Sequence, residues 1–265
     1  GFANNGAGDR FDRPCGVFVD QKNILYVADT ENRRIVALRE DGTLYRVIGT
    51  PESELLGDGF DYSPMKVAVD SAERLYIVSK NGNQGMLEIH RKGEFWGFFG
   101  AVKTVPDLAL IMKKAIATKE QKEQMLLTVP TEYSSCDLDE KDFVYGTVSA
   151  VGSEKIDTAM FVHRLNPMGN DVLRRSGFFD PMGDVRYKID VQKGELKPSQ
   201  LCDVAVRDHG IYSVLDSRRG RIFTYTANGD LMYLFGAMGE SLGQFGAPEA
   251  LDTLGDAYLV ADSKF

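Results

Sequence analysis

The sequence has few of the residues on which disulfide frameworks, metal centres and membrane spans depend. It contains three cysteines, Cys15, Cys136 and Cys202, and they form no CxxC pair. This spacing argues against both a disulfide framework and a zinc site. The three histidines are scattered along the chain. No apolar run approaches the roughly 18 residues of a membrane helix. We therefore predict no metal site from these residues and no membrane span within them.

Positive charge is also scarce. The 31 Lys and Arg residues are outnumbered by 39 Asp and Glu residues, so the 265-residue chain carries a net charge of −8. Such a surface repels phosphate backbones, and we expect no nucleic-acid partner. The content of 43% hydrophobic and 26% charged residues is that of an ordinary globular protein. The length is sufficient for one large domain or two small ones with a real core.

Internal repetition is the clearest pattern in the sequence. Each copy has short apolar segments with period-two alternation, separated by turn residues and ending in glycine, which predicts four short strands. Complete copies lie at about 14–49, 63–100, 133–177 and 201–236, with a partial copy at 248–265. A four-stranded sheet that is apolar on both faces is buried by neighbouring sheets when several stack radially. The sequence therefore predicts an all-β fold, a single β-propeller domain over residues 1–265.

Three segments also resemble the signature of NHL repeats. The clearest is 26–35 (YVADTENRRI), followed by 216–222 (DSRRGRI) and 261–263 (ADS). The resemblance implies an NHL-type β-propeller. Such propellers usually have six blades, so about one and a half blades would lie outside this sequence. The chain is most similar to the propellers of bacterial NHL-repeat proteins, which implies an extracytoplasmic bacterial surface.

Long insertions connect the predicted copies, at 50–62, 101–130 and 178–198. In an up-and-down blade these links share one face, and loops on a rigid scaffold are where binding sites usually form. Within the second insertion, apolar spacing over 107–117 predicts a short helix. These features favour a non-catalytic scaffold that presents this face to a protein, a peptide or a glycan.

Candidate binding residues open the first strand of each copy or lie in the loops of the same face. Arginines there are suited to grip a carboxylate or phosphate through forked hydrogen bonds. The predicted set is Arg33, Lys66, Glu132, Tyr133, Gln200, Arg218, Arg219 and Glu249. A second set of carboxylates follows the first strands, and we interpret it as turn chemistry rather than a site. Its members are Asp20, Asp70, Asp139 and Asp208. No catalytic sequence motif is present, so we assign no catalytic residue.

The alternative function is a lactonase-type propeller hydrolase or lyase with calcium in the central channel. Calcium prefers six to eight oxygen ligands. Glu132, Glu249 and Gln200 supply too few, and Lys66 would oppose a cation. The scaffold hypothesis therefore includes no cofactor, and calcium belongs to the alternative alone. Carboxylates converging in the channel would favour the enzyme, whereas an apolar plug would exclude it.

Overall fold

Antiparallel β-sheet dominates the fold. The computed structural model describes residues 2–4, 7–56, 59–80, 82, 84–101, 132–148, 161–175, 183, 188–190, 195–197 and 199–265. Within these ranges the helical elements are two short 3-10 turns, at Glu54–Leu56 and Asp208–Gly210. None of the helices described could cross a bilayer. The predicted helix at 107–117 lies outside the described residues, as do most of the second and third insertions.

The strands form short antiparallel sheets in sequence order. An N-terminal hairpin consists of β1 (Phe2–Asn4) and β2 (Ala7–Asp9). The first sheet consists of β3 (Pro14–Val19), β4 (Leu25–Asp29), β5 (Arg34–Leu38) and β6 (Leu44–Ile48). The second consists of β7 (Pro64–Val69), β8 (Leu75–Ser79), β9 (Met86–Ile89) and β10 (Phe95–Phe99).

The remaining strands follow the same plan. The third sheet consists of β11 (Tyr133–Leu138), β12 (Val144–Val148) and β13 (Val162–Leu165). A small hairpin within the third insertion pairs β14 (Lys188–Asp190) with β15 (Glu195–Lys197). The fourth sheet consists of β16 (Leu201–Val206), β17 (Tyr212–Asp216), β18 (Arg221–Tyr225) and β19 (Leu231–Phe235). The fifth pairs β20 (Pro248–Leu254) with β21 (Ala257–Asp262).

The predicted four-stranded pattern is confirmed for the first, second and fourth copies. It is wrong for the third copy within the described residues, where a single bridge between Leu165 and Asp171 stands in place of a fourth strand. The reason is local. The Asp171 carboxylate lies 2.9 Å from His163 Nδ1 and 2.7 Å from Arg175. These contacts draw the side chain onto β13, so the backbone after the bridge does not continue as a strand.

The core lies between the sheets, as radial stacking requires. One apolar cluster joins the first and second sheets, with Tyr26 and Ile35 packed near Val67 and Ile77. Equivalent clusters join the second to the third sheet, the third to the fourth and the fourth to the fifth. The strands β3, β7, β11, β16 and β20 lie next to one another in that order. This is the arrangement of a β-propeller, with one inner strand from each sheet around a common centre.

The described sheets do not close into a ring. Val17 and Val19 on β3 are 69% and 57% exposed, so the outer face of the first sheet is open near the centre. Farther out, Phe2 of the N-terminal hairpin covers Val36 and Leu38 on that same face.

Every inner strand carries the same β-bulge. In all five sheets the pairing register shifts after the first residue of the inner strand. A bulge adds one unpaired residue and redirects the side chains that follow it. The five residues directly after the bulge are therefore equivalent: Gly16, Lys66, Ser135, Asp203 and Ala250. At the first of these positions the backbone approaches the next inner strand so closely that a Cβ atom would lie 2.4 Å from the carbonyl oxygen of Met65.

A carboxylate at the end of the second strand holds the incoming loop in three sheets, and it is fully buried in two of them, at Asp29 and Asp216. Asp29 accepts a hydrogen bond from the N–H of Asp12 at 2.7 Å and another from Arg34 Nε at 2.7 Å. Asp216 accepts from the N–H of Gln200, and Asp262 accepts from two loop N–H groups. This explains why the aspartate of the NHL-like segments recurs, because it satisfies backbone donors that the bend into the inner strand leaves unpaired.

We expect the substitution Asp29→Ala to lower the free energy of unfolding by about 3 kcal/mol. It removes a fully buried carboxylate that satisfies a backbone donor and pairs with Arg34. Urea unfolding monitored by circular dichroism measures the change. Glu40→Ala, at an exposed turn position, is the control and should alter stability by less than about 0.5 kcal/mol. Equal effects of the two substitutions would contradict this role of Asp29.

Candidate functional site: the central cavity

The inner strands enclose a cavity of about 890 Å³. Ligand pockets usually measure roughly 300–1,000 Å³, so a small molecule fits. All five inner strands and β21 contribute to its lining. The polar side chains Lys66, Asp137 and Asp252 and the apolar side chains Val17 and Leu259 all line it, and Asp252 pairs directly with Leu259 across β20 and β21. The cavity is therefore neither an apolar plug nor a uniformly polar channel.

A buried ion pair crosses the centre of the fold. Lys66 Nζ on β7 lies 2.8 Å from Asp203 Oδ2 on β16. The hydroxyl of Ser135 on β11 donates to the other carboxylate oxygen, and the N–H of Leu251 on β20 donates to Oδ2 at 2.8 Å. Lys66, Ser135 and Asp203 are equivalent positions after the bulge, which is why they meet. This cluster links the second, third, fourth and fifth sheets through one carboxylate.

Asp137 is the titratable group best suited to chemistry in this cavity. Its carboxylate accepts hydrogen bonds from the N–H of Val206 at 2.7 Å and of Leu138 at 2.8 Å. Burial raises the pKa of Asp137 to about 7, and the negative charges of Asp252 and Asp203 act in the same direction. The two backbone hydrogen bonds oppose this rise only in part. A carboxyl group with this pKa both donates and accepts protons near neutral pH, as general acid–base catalysis requires.

The predicted binding residues are scattered over the molecule. Lys66 is the member of the set that lines the cavity. Arg218 and Gln200 are brought together, with Arg218 Nη2 lying 3.1 Å from Gln200 Oε1. Arg33 is largely exposed and lies 3.3 Å from Asp61.

Four other members of the predicted set also lie away from the cavity. Tyr133 is buried between sheets and donates its hydroxyl to the carbonyl oxygen of Gly100 at 2.8 Å. Arg219 is buried, 3.1 Å from Asp216 and 3.2 Å from Ser199, so it braces its own loop. Glu249 is the bulged residue of β20 and is exposed. Glu132, half-buried, directly precedes β11 and is likewise not part of the cavity lining.

The carboxylates at the centre were not anticipated from the sequence. Asp137, Asp203 and Asp252 lie inside the inner strands, whereas the candidate set was drawn mostly from the residues that open these strands. The repeat itself contains the information that identifies these central positions. Aligning the copies from the end of each inner strand places Lys66, Ser135 and Asp203 in one ring.

The turn aspartates have the expected role in three copies. Asp20, Asp70 and Asp139 each accept hydrogen bonds from two backbone N–H groups of their own turn. The prediction is wrong for Asp208. Arg207 occupies the equivalent position, since its N–H bonds the carbonyl oxygen of Ile211 as Asp20 bonds that of Ile24. Asp208 instead begins a 3-10 turn inside this connection, which at residues 207–211 has the same length as the connection at residues 20–24.

The described carboxylates do not form a calcium site. Asp203 is already occupied by Lys66, Ser135 and the N–H of Leu251. The raised pKa of Asp137 leaves that carboxyl largely protonated at slightly acidic pH. Among the residues that the structure describes, no three His, Cys, Asp or Glu side chains are placed to share one metal ion. Calcium needs six to eight oxygen ligands, so we derive no step through it.

No protein-family model and no curated protein matches the sequence. Solved structures do match. Virginiamycin B lyase from Staphylococcus aureus aligns with a TM-score of 0.53 at 13% identity, over 94% of this chain and 62% of the lyase. A catalytically inactive variant of that lyase with quinupristin gives 0.52 at 11% identity, over 93% and 62%. A gluconolactonase from Xanthomonas campestris gives 0.43 at 14% identity, over 96% and 84%.

The likeness to the lyases shows the fold alone. Both lyase structures are β-propellers, which agrees with the radial arrangement of sheets described above. The chain spans 62% of the lyase length.

We expect Lys66→Met to lower the free energy of unfolding by about 3 kcal/mol, because it leaves the Asp203 carboxylate buried without a cation. The double variant Lys66→Met/Asp203→Asn should recover part of this loss, since it removes the uncompensated charge. A double-mutant cycle in urea measures the coupling. Additive single effects would show that the two side chains do not interact.

The raised pKa of Asp137 predicts that stability depends on pH with a defined sign. The folded pKa of about 7 exceeds the ordinary aspartate value near 3.9, so this group stabilises the fold fully only at acidic pH. The free energy of unfolding should fall by about 1.4 kcal/mol per pH unit as the pH rises from about 4 to 7. Asp137→Asn should remove this dependence. Urea unfolding at about pH 5 and 8 measures it, and parallel curves for both proteins would contradict it.

Proposed function

We propose that the central cavity binds a small molecule and that Asp137 transfers protons there, as in a propeller hydrolase or lyase. The observation that carries this proposal is a carboxyl group with a pKa near 7 in the wall of a cavity of ligand size. Groups with strongly perturbed pKa values concentrate at functional sites. The proposal takes up the enzymatic alternative of the sequence analysis without its calcium ion.

In this proposal Asp137 is the general acid and Asp252 is the general base. Asp137 and Asp252 lie two residues beyond Ser135 and Ala250, the first residues after the bulges of their strands, and both line the cavity. Burial favours the protonated form of Asp137, whereas Asp252 is exposed and its charge acts on Asp137. Two carboxyl groups in unequal environments are suited to the roles of acid and base.

Proton transfer between these groups accounts for either reaction. In hydrolysis, the Asp252 carboxylate accepts a proton from the attacking water, and protonated Asp137 donates one to the leaving oxygen. In elimination, Asp252 accepts the proton from carbon while the carbon–oxygen bond breaks, and Asp137 again protonates the oxygen. The Lys66–Asp203 pair positions the wall that carries Asp137, because Asp203 and Val206, which bonds Asp137, belong to the same strand.

Other expectations from the sequence belong to this proposal as well. The loop-fastening aspartates Asp29, Asp216 and Asp262 support the NHL-type assignment. We also propose the extracytoplasmic bacterial location that the resemblance to bacterial NHL-repeat proteins implies. The scaffold hypothesis depends on insertions that lie mostly outside the described residues, so binding of a protein, peptide or glycan there stays a prediction.

Turnover of quinupristin and gluconolactone tests the proposed function. We expect Asp137→Asn to reduce the rate for an accepted substrate by about 100-fold, the usual contribution of a general acid or base. The wild-type rate should change with an apparent pKa of about 7, and EDTA should leave it unaltered. Glu40→Gln is the exposed control. Absence of turnover, an unchanged rate in Asp137→Asn or loss of activity in EDTA would contradict the proposal.

A further inference from the structure

We propose that Tyr258 is a nucleophilic phenol that accepts an acyl group from an activated acyl donor. It lies on β21 and packs against the fourth sheet, on the side of the strand opposite the gap in the ring. Tyr258 is not part of the acid–base pair of the proposed function, so the inference is independent of that function. Two observations carry it: the fourth sheet differs from the repeat at two positions, and a cluster of hydroxyl groups occupies the place of the difference.

The first three sheets share a buried tyrosine at one position of the second strand. Its members pair with the inner-strand residue two positions beyond the one that follows the bulge: Tyr26, Tyr76 and Tyr145. The hydroxyls of Tyr26 and Tyr76 donate to the turn aspartates Asp20 and Asp70 at 3.4 and 3.2 Å. Burial raises the pKa of Tyr26 to about 12, and burial together with the charge of Asp70 raises that of Tyr76 as well. The repeat therefore keeps these phenols neutral.

The fourth sheet replaces both members of this tyrosine–aspartate pair. Ser213 stands at the tyrosine position of β17, and Arg207 stands at the position of the turn aspartate. The smaller serine leaves space between the sheets, and the hydroxyl of Tyr258 from the fifth sheet lies 3.0 Å from its Oγ. A position at which one copy breaks a rule that the others keep is a candidate for function.

Three hydroxyl groups surround the phenol oxygen of Tyr258. Their residues form one row across β17, β18 and β19 and lie 3.0, 2.7 and 3.0 Å from that oxygen: Ser213, Thr224 and Tyr233. Each hydroxyl is placed to donate to a phenolate, and hydrogen bonds to the charged form of a group favour that form. The guanidinium of Arg207 lies over the ring, 5.7 Å from its centroid, and adds a positive charge.

These contacts outweigh the effect of burial on Tyr258. Burial by itself would raise the pKa of Tyr258, but the hydrogen bonds of the three hydroxyls and of Arg207 lower it on balance. The hydrogen bond with Tyr258 raises the pKa of Tyr233, so Tyr258 is the member of the pair that ionises first. A lowered pKa is one of the ways in which proteins activate a nucleophile.

The surroundings of Tyr258 favour an acyl group over a phosphoryl group. Arg207 is held by the Asp256 carboxylate at 2.9 Å and by the carbonyl oxygen of Gly255 at 3.2 Å, so its charge is already compensated. The ring of Phe235, which is 37% exposed, lies 5.1 Å from the Tyr258 ring and offers an apolar surface to an acyl chain.

The proposed step is an acyl transfer to oxygen. The phenol of Tyr258 loses its proton to solvent, and the phenolate oxygen forms a bond to the carbonyl carbon of the donor. The bond from that carbon to the leaving group breaks. The leaving group departs with the electron pair and takes up a proton from solvent, so an ester of Tyr258 and the protonated leaving group are the products.

Acetylation by N-acetylimidazole, whose leaving group is imidazole, tests the inference when the modified tyrosines are mapped by mass spectrometry. Tyr45 is the internal control, because it is 38% exposed and more accessible than the half-buried Tyr258. We expect Tyr258 to be acetylated about tenfold faster than Tyr45, the reverse of their order of accessibility. An equal or faster rate at Tyr45 would overturn the inference.

Matched variants test whether the hydroxyl cluster activates Tyr258. Thr224→Val keeps the shape of the side chain and removes its hydroxyl, so acetylation of Tyr258 should slow about tenfold while that of Tyr45 stays unchanged. Ser213→Ala should act in the same direction. Unchanged rates at Tyr258 in both variants would overturn the role of the cluster. Circular dichroism verifies that the variants fold, and the comparison within the wild-type protein decides the inference if they do not.

Discussion

Each sheet in this protein is apolar on both faces, and the whole architecture depends on that constraint. A four-stranded sheet has no means of covering two faces by itself, so each must lie between neighbours. The clusters between successive sheets satisfy this requirement. Radial packing then forces one strand of every sheet toward a common centre. Polar residues on those inner strands therefore lie close together at the centre.

The centre contains more negative charge than the fold can neutralise. Asp203 is stabilised by Lys66, a hydroxyl and a backbone N–H, and it works as a structural link between sheets. Asp137 accepts hydrogen bonds from two backbone N–H groups but pairs with no cation among the described residues, so burial raises its pKa. Because a buried carboxylate is either paired or protonated, Asp203 on β16 is ion-paired whereas Asp137 on β11 has a raised pKa.

The repeat made the fold predictable from the sequence. It did not show which side chains of each inner strand face the centre. Alternation and glycine spacing located the strands of the first, second and fourth sheets. The β-bulge at the start of every inner strand has no sequence signal of its own, and it changes which side chains face the centre. Choosing Glu132, Gln200 and Glu249 as central residues therefore selected positions at or before the bulge. Lys66, one residue beyond it, does line the cavity.

The open side of the cavity lies where the ring of sheets is unclosed. The exposed valines of β3 and Leu259 of β21 face the cavity at the gap between the first and fifth sheets. Further strands placed there would narrow the cavity and cover those side chains, but they would not move Asp137 or Asp203, which are fixed from within the third and fourth sheets. The exposure of these three side chains thus depends on what fills the gap. The positions of Asp137 and Asp203 are set by the third and fourth sheets, which are already packed on both sides.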